Sequence, residues 1–195
     1  MQALRVLVRI RFSFLPALCM SYQYQDLIHI FNHTFSTSMN TQLIKGSDEP
    51  LYAPKNEICN YHRIIFAHGF YASALHEVAH WCLAGSARRL LEDFGYWYIP
   101  DGRDQAQQLK FEQVEIKPQA IEWAFCAAVG KKFDVSIDNL SGTGTTDRAV
   151  FKQAVYQQVE VYLTTGFPKE AQKFITALAD FYQTPLPLVP QRFTL

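Results

Sequence analysis

A helix-dominated α+β fold with a few short strands is what this sequence predicts, from three observations. Several long segments space their apolar residues at helical intervals and are bounded by glycine or proline. Three brief runs rich in β-branched and aromatic residues fall between the first two of these segments. The 195 residues are 49% hydrophobic and 14% aromatic, enough for one buried core, so a single catalytic domain over residues 20–195 is expected.

Taken in order, the chain begins with MQALRVLVRIRFSFLPALCM, where arginines 5, 9 and 11 interrupt an apolar run. A signal peptide carries its charges ahead of the run and a small-residue cleavage site behind it. This run is also too short and too charged to span a bilayer. Residues 1–19 therefore read as an upstream extension, with Met20 as the start. The alternative is an amphipathic segment that lies on a membrane surface or targets the chain. From Tyr24 to Phe35, Leu27, Ile28, Ile30, Phe31 and Phe35 share roughly one helical face. TQLIK (41–45) and PLYA (50–53) read as short strands flanking the turn Gly46-Ser47-Asp48, and RIIFA (63–67) as a buried strand. Ser73 to Gly85 reads as a helix with Ser73 as N-cap and Gly85 just past its end. GYWYIPDGRD (95–104) predicts a loop or hairpin. Gln105 to Val129 is a long helical pattern with Pro118 inside, where a kink or restart is expected. DVSIDNLSGTGTT (134–146) is a loop. Thr146 or Asp147 caps a helix to about Thr165, and Pro168 opens the last helix to about Tyr182.

Charge and cysteine usage narrow the function classes. Lysine plus arginine equals aspartate plus glutamate at 18 each, with a pI near 7.0, so the basic excess of a nucleic-acid binder is missing. The four cysteines (Cys19, Cys59, Cys82, Cys126) form no CxxC pair, and three lie in apolar segments. They read as reduced thiols of a cytoplasmic protein, with no stable membrane association expected.

The chemistry concentrates in SALHEVAHWCLAG, which contains His76-Glu77-Val78-Ala79-His80. Residues i and i+4 of a helix share a face, about 6 Å apart at Cβ. Two such imidazoles can each direct a nitrogen to one ion at about 2.0–2.1 Å. The bland alternative is a pair of packed histidines. Apolar neighbours Leu75, Val78, Ala79, Cys82 and Leu83 mark a buried helix, however, and inward histidines there need partners. A third ligand, often a carboxylate, is expected. Gln108, Glu112, Glu115, Gln119 and Glu122 recur at helical spacing as one polar stripe, beside the apolar residues Phe111, Val114, Ile121 and Phe125. Such a stripe ordinarily faces water. If it faces the histidines, its central acid Glu115 is the expected ligand, with Glu112 and Glu122 as alternatives. Two histidines and a carboxylate serve two chemistries. With zinc, Glu77 activates a metal-bound water, as in the zincin-like HExxH peptidases. With Fe(II), open positions bind O₂ and substrate.

Two further features stand out. His68, before Gly69, is either a site residue or a structural histidine. Tyr96, Trp97 and Tyr98 with Asp93, Asp101 and Asp104 form an aromatic and acidic cluster. It reads as a packed loop with solvated charges or as a surface for a cationic ligand.

The run RIIFAHGFYASALHEVAHWCLAGSARRLLEDFGYWYIPDGRD, followed by FEQVEIKPQAIEWAFC and preceded by LIKGSDEPLYAP, closely resembles the bacterial elongation factor P hydroxylase family. The resemblance extends from about Tyr24 to Tyr182. It implies an iron-dependent monooxygenase that uses O₂ to hydroxylate the lysine of β-lysylated elongation factor P, last in that modification pathway and in the cytoplasm. It implies a site of two histidines and a carboxylate, with His76 and His80 as the histidines; the carboxylate is placed at Glu115 by inference. Under this reading Glu77 orients His76, orders a water or relays a proton. Asp93, Tyr96, Trp97, Asp101 and Glu112 become residues of the right type to receive the long cationic β-lysyl-lysine arm.

Overall fold

The computed structural model of the chain describes residues 21–95, 101–137 and 139–195. The expected extension 1–19, together with Met20, lies outside the described residues. Helix α1 (Tyr24–Met39) leads into strand β1 (Thr41–Lys45), followed by β2 (Leu51–Ala53) and β3 (His62–Phe66). Helix α2 (Tyr71–Leu83) follows directly, then two short 3-10 turns. Helices α3 (Gln105–Val129), α4 (Arg148–Thr165) and α5 (Lys169–Tyr182) complete the order. The helix-dominated α+β class is borne out.

The sheet has the order β1-β3-β2. β1 and β2 flank the 46–48 turn in sequence but do not pair with each other. β3 lies between them, parallel to β1 with Leu43 opposite Ile64, and antiparallel to β2 with Tyr52 opposite Ile64. Leu43, Ile64 and Phe66 are each at most 1% exposed, so the central strand is anchored from one face. Gly46 occupies a tight spot at the end of β1: a Cβ there would stand 2.8 Å from Ile65 Cγ2.

Helix ends follow local chemistry, with one correction. α2 begins at Tyr71, and Phe70 is its N-cap residue, with no side-chain capping bond. Ser73 lies inside the helix, and its Oγ accepts from Ala67 N at 3.0 Å. The hydroxyl thus closes the strand-to-helix turn instead of capping the helix. Ala84 is the C-cap residue, which leaves Gly85 just past the helix end, as expected. α3 starts with a reciprocal cap: Asp104 accepts from Gln107 N, and the Gln107 side chain accepts from Asp104 N. It ends at Gly130, whose φ of 74° suits glycine. Between them α3 continues through Pro118 as one helix. The carbonyl that loses its helical donor there is that of Val114. Asp147, not Thr146, caps α4, which leaves the Thr146 hydroxyl for a different contact.

The core is built around α3. From Ala120 to Val129 every residue is buried, and α2, α4 and α5 pack on that half of the helix. Phe31, Phe35, Trp81, Phe125 and Phe174 interlock, with ring centroids 4.9 Å apart for Phe35 and Trp81 and 5.0 Å for Phe125 and Phe174. Such tilted pairs add about 0.5–1.5 kcal/mol each beyond area burial. Among the described residues, no helix is long and apolar enough to cross a membrane.

Candidate metal centre

α2 presents His76 and His80 on the face that meets α3. Their Nε2 atoms are 3.0 Å apart and their rings meet edge-on, with centroids at 4.7 Å. Glu115 enters from the N-terminal half of α3. Its Oε1 is 3.2 Å from His80 Nε2, and its Oε2 is 3.6 Å from His76 Nε2. Three donors bound to one first-row ion at about 2.1 Å stand roughly 3.0–3.4 Å from each other, for angles between octahedral and tetrahedral. Glu115 turns a different oxygen to each imidazole, and one ligand atom from each of the three residues lies within 4.8 Å of the other two, close enough to converge on a common ion. These three residues form the group able to hold a metal among the described residues. The imidazole side chains keep 23% and 19% exposure while Glu115 keeps 2%, so the site is open on the histidine side and closed behind the carboxylate.

The carboxylate is buried because the polar stripe of α3 faces inward. Gln108, Glu115, Gln119 and Glu122 are 0–7% exposed; of the apolar stripe, Val114 is 48% exposed while Ile121 and Phe125 are buried as well. The ordinary orientation of such a stripe is reversed here, and it is repaid by hydrogen bonds. Of the three acids weighed for the third position, Glu115 joins the histidines. Glu122 lies two turns further on, and its Oε2 is 2.9 Å from His76 Nδ1. A carboxylate only accepts, so Nδ1 carries the hydrogen and the Nε2 lone pair is left for a metal. Glu112 lies one turn earlier and accepts from the Thr146 hydroxyl and, at 3.5 Å, from Gln108 Nε2. Gln119 Nε2 donates to Glu115 Oε2 at 3.3 Å. Gln119, a member of the polar stripe with no role expected from the sequence, thus touches the site. Its position four residues after Glu115 was the available signal.

The charges at the centre set one another. Burial opposes a charged His76, but Glu115, Glu122 and Glu77 outweigh it and raise its pKa to about 10 in the metal-free protein. Burial likewise opposes a charged Glu115, but His80 and His76 hold it at about 2. The carboxylate is therefore in its ligating form over a wide pH range. Glu77, between the two histidines in sequence, is partly buried. Burial pushes its carboxyl above the usual range, His76 and His80 pull it down, and Glu115 and Asp93 push it up again.

Among the described residues of the expected substrate cluster, Asp93 and Asp101 each have a local partner. Asp93 has φ 44° and accepts from Tyr52 N at 2.8 Å, tying its turn to β2. Asp101 is exposed and accepts from Ser141 N at 3.0 and 3.2 Å. Tyr96 and Trp97 lie outside the described residues. His68 is exposed at φ 51°, with its ring 5.5 Å from that of Phe70, and is not one of the three clustered donors. Of the cysteines, Cys82 and Cys126 are buried and free, while Cys59 is only partly buried.

The chain has known relatives in sequence. A family model described as elongation factor P hydroxylase matches residues 30–193. The elongation factor P lysine hydroxylase of Haemophilus influenzae is 52% identical over 165 residues, which span 85% of this chain and 92% of that protein. The family match runs from within α1 to the C-terminal tail and so takes in α2, α3 and all three clustered donors. By this extent of likeness, the chain belongs to the elongation factor P hydroxylase family.

Proposed function

We propose that this protein is a non-haem Fe(II) enzyme that hydroxylates the β-lysyl-modified lysine of elongation factor P. It would act in the cytoplasm as the last step of that modification, with O₂ and an external two-electron donor as cosubstrates, one oxygen atom entering the substrate and the other leaving as water. The observation that carries the reading is the His76, His80 and Glu115 cluster in a chain of this family. Two imidazoles and one carboxylate fit Fe(II) and leave further positions open. Bound there, iron would supply the activation of O₂ that hydroxylation of an unactivated carbon requires. The protein's own groups do the rest. Glu122 keeps His76 in the tautomer that offers Nε2. Glu77, with its carboxyl pushed up by burial, holds or relays a proton beside the histidines. Asp93, whose charge reaches Glu77, together with Asp101, Glu112, Tyr96 and Trp97, is retained as the acidic and aromatic set for the cationic arm.

The test combines the Fe(II)-loaded protein with β-lysylated elongation factor P in air, with ascorbate as the two-electron reductant, and weighs the factor. A gain of one oxygen, absent with the His76→Ala variant and with the unmodified factor, is expected. No gain, with peptide cleavage by the zinc-loaded protein, would replace this reading by a metallopeptidase.

A further inference from the structure

A buried primary amide has two N–H donors and one carbonyl to satisfy. Gln119 is fully buried, and it meets these needs in a way that fixes its orientation. Its Oε1 accepts from Ser136 N at 3.0 Å, and its Nε2 donates to Ser136 O at 2.8 Å. One backbone residue thus supplies both a donor and an acceptor. Flipping the amide would set N–H against N–H and oxygen against oxygen. The remaining N–H meets Glu115 Oε2 at 3.3 Å. Ser136 is itself held, because its segment is anchored by buried Phe133 and Val135, and Arg148 of α4 donates to Val135 O at 2.6 Å.

We propose that Gln119 is the positioning residue for the metal-binding carboxylate, transmitting the fixed 133–136 segment to Glu115. This rests on the reading of His76, His80 and Glu115 as metal ligands. A glutamate has three side-chain torsions and reaches the histidines from another helix. Without a restraint it loses entropy on binding an ion and can swing away from it. Gln119 holds Oε2 with a neutral donor. It therefore restrains the carboxylate without placing a competing positive charge beside it. Oε1, the oxygen nearer a histidine nitrogen, stays free of an amide bond. Leucine at position 119 would fill similar space and supply no donor.

The experiment titrates the metal-free protein with Co(II) alone and follows its visible absorption, which reports both affinity and coordination. The proteins compared are the parent, Gln119→Leu, Glu115→Ala and the double variant. Gln119→Leu is expected to bind about 10–100-fold more weakly, the range for loss of an outer-shell partner, with an altered absorption band. In the Glu115→Ala background the same substitution is expected to have no further effect, because Gln119 acts through Glu115. Parent-like affinity in Gln119→Leu overturns the proposal, as does an equal weakening in both backgrounds, which would mean general packing. If Gln119→Leu does not fold, Gln119→Met decides: it keeps the length of the side chain and supplies no donor, and parent-like affinity in it overturns the proposal. Failure of the underlying metal reading looks different: the parent itself binds no Co(II), or Glu115→Ala binds as well as the parent.

Discussion

Helices α1 and α2 each carry two histidines four residues apart, and the two pairs behave differently. His29 and His33 are exposed on α1, with rings nearly parallel at 18° and centroids 6.2 Å apart. Gln25, Ile28, Asn32 and Ser36 surround them in a shallow surface groove. His76 and His80 lie edge-on at 4.7 Å, with one nitrogen each turned toward Glu115 and the other nitrogen of His76 on Glu122. The spacing is the same and the backbone is the same. What differs is the second helix, which brings one acid to both imidazoles and another to orient a ring. A helical histidine pair gains a donor set able to hold a metal when a buried carboxylate from elsewhere meets it. The water-facing pair has no such partner among the described residues.

The largest expected effect breaks the second pair. His80→Ala or Glu115→Ala should lose iron during desalting while the parent retains it, as read by elemental analysis. The loss of affinity should exceed the 10–100-fold typical of an outer-shell partner. Next, Glu122→Leu should keep the donor set and weaken Fe(II) binding about 10–100-fold, because His76 loses the group that fixes its tautomer. Glu122→Gln, which can still accept from Nδ1, should fall between Leu and the parent in a competition titration.

A smaller effect concerns pH and the metal-free protein. His76 is raised from 6.5 to about 10, so its contribution to folding is full below pH 6.5 and is lost as pH rises toward 10. Glu115 is lowered from 4.5 to about 2, so its contribution is full above pH 4.5 and is lost as pH falls toward 2. Thermal unfolding in chelator should therefore show the highest midpoint from this pair between pH 4.5 and 6.5, declining on both sides. In Glu115→Ala that profile should flatten. The smallest effect belongs to the first pair: His29→Ala with His33→Ala should leave iron stoichiometry and hydroxylation unchanged. A drop in retained iron in this variant would mean that spacing alone suffices, contrary to the comparison of the two helices.

Much of this was legible from local pattern. The apolar faces of α1 and α5 are consistent, with Leu27, Ile30, Phe31 and Phe35 buried on one and Ala171, Phe174, Ile175 and Leu178 on the other. Their extents were accordingly close to expectation. α3 was the difficult element. Its first half buries glutamine and glutamate, and its second half is buried all round, so no single apolar face runs along it. The strand order was also beyond local reading, since β3 inserts between β1 and β2 through contacts distant in sequence. Ser73 has the chemistry of a cap, but a neighbouring turn competed for its hydroxyl and won.

By itself the sequence determined that two imidazoles share a helical face, because a period of 3.6 residues leaves positions 76 and 80 no other relation. It also determined the kinship of the chain, through a long and dense match. Which acid completes the centre was decided only by tertiary structure. Glu112, Glu115 and Glu122 share one stripe and one chemistry. The rotation and height of α3 against α2 assign them separately, to Thr146, to the histidine pair and to His76 Nδ1. Helix packing sets that register through the whole core, and no local segment contains it.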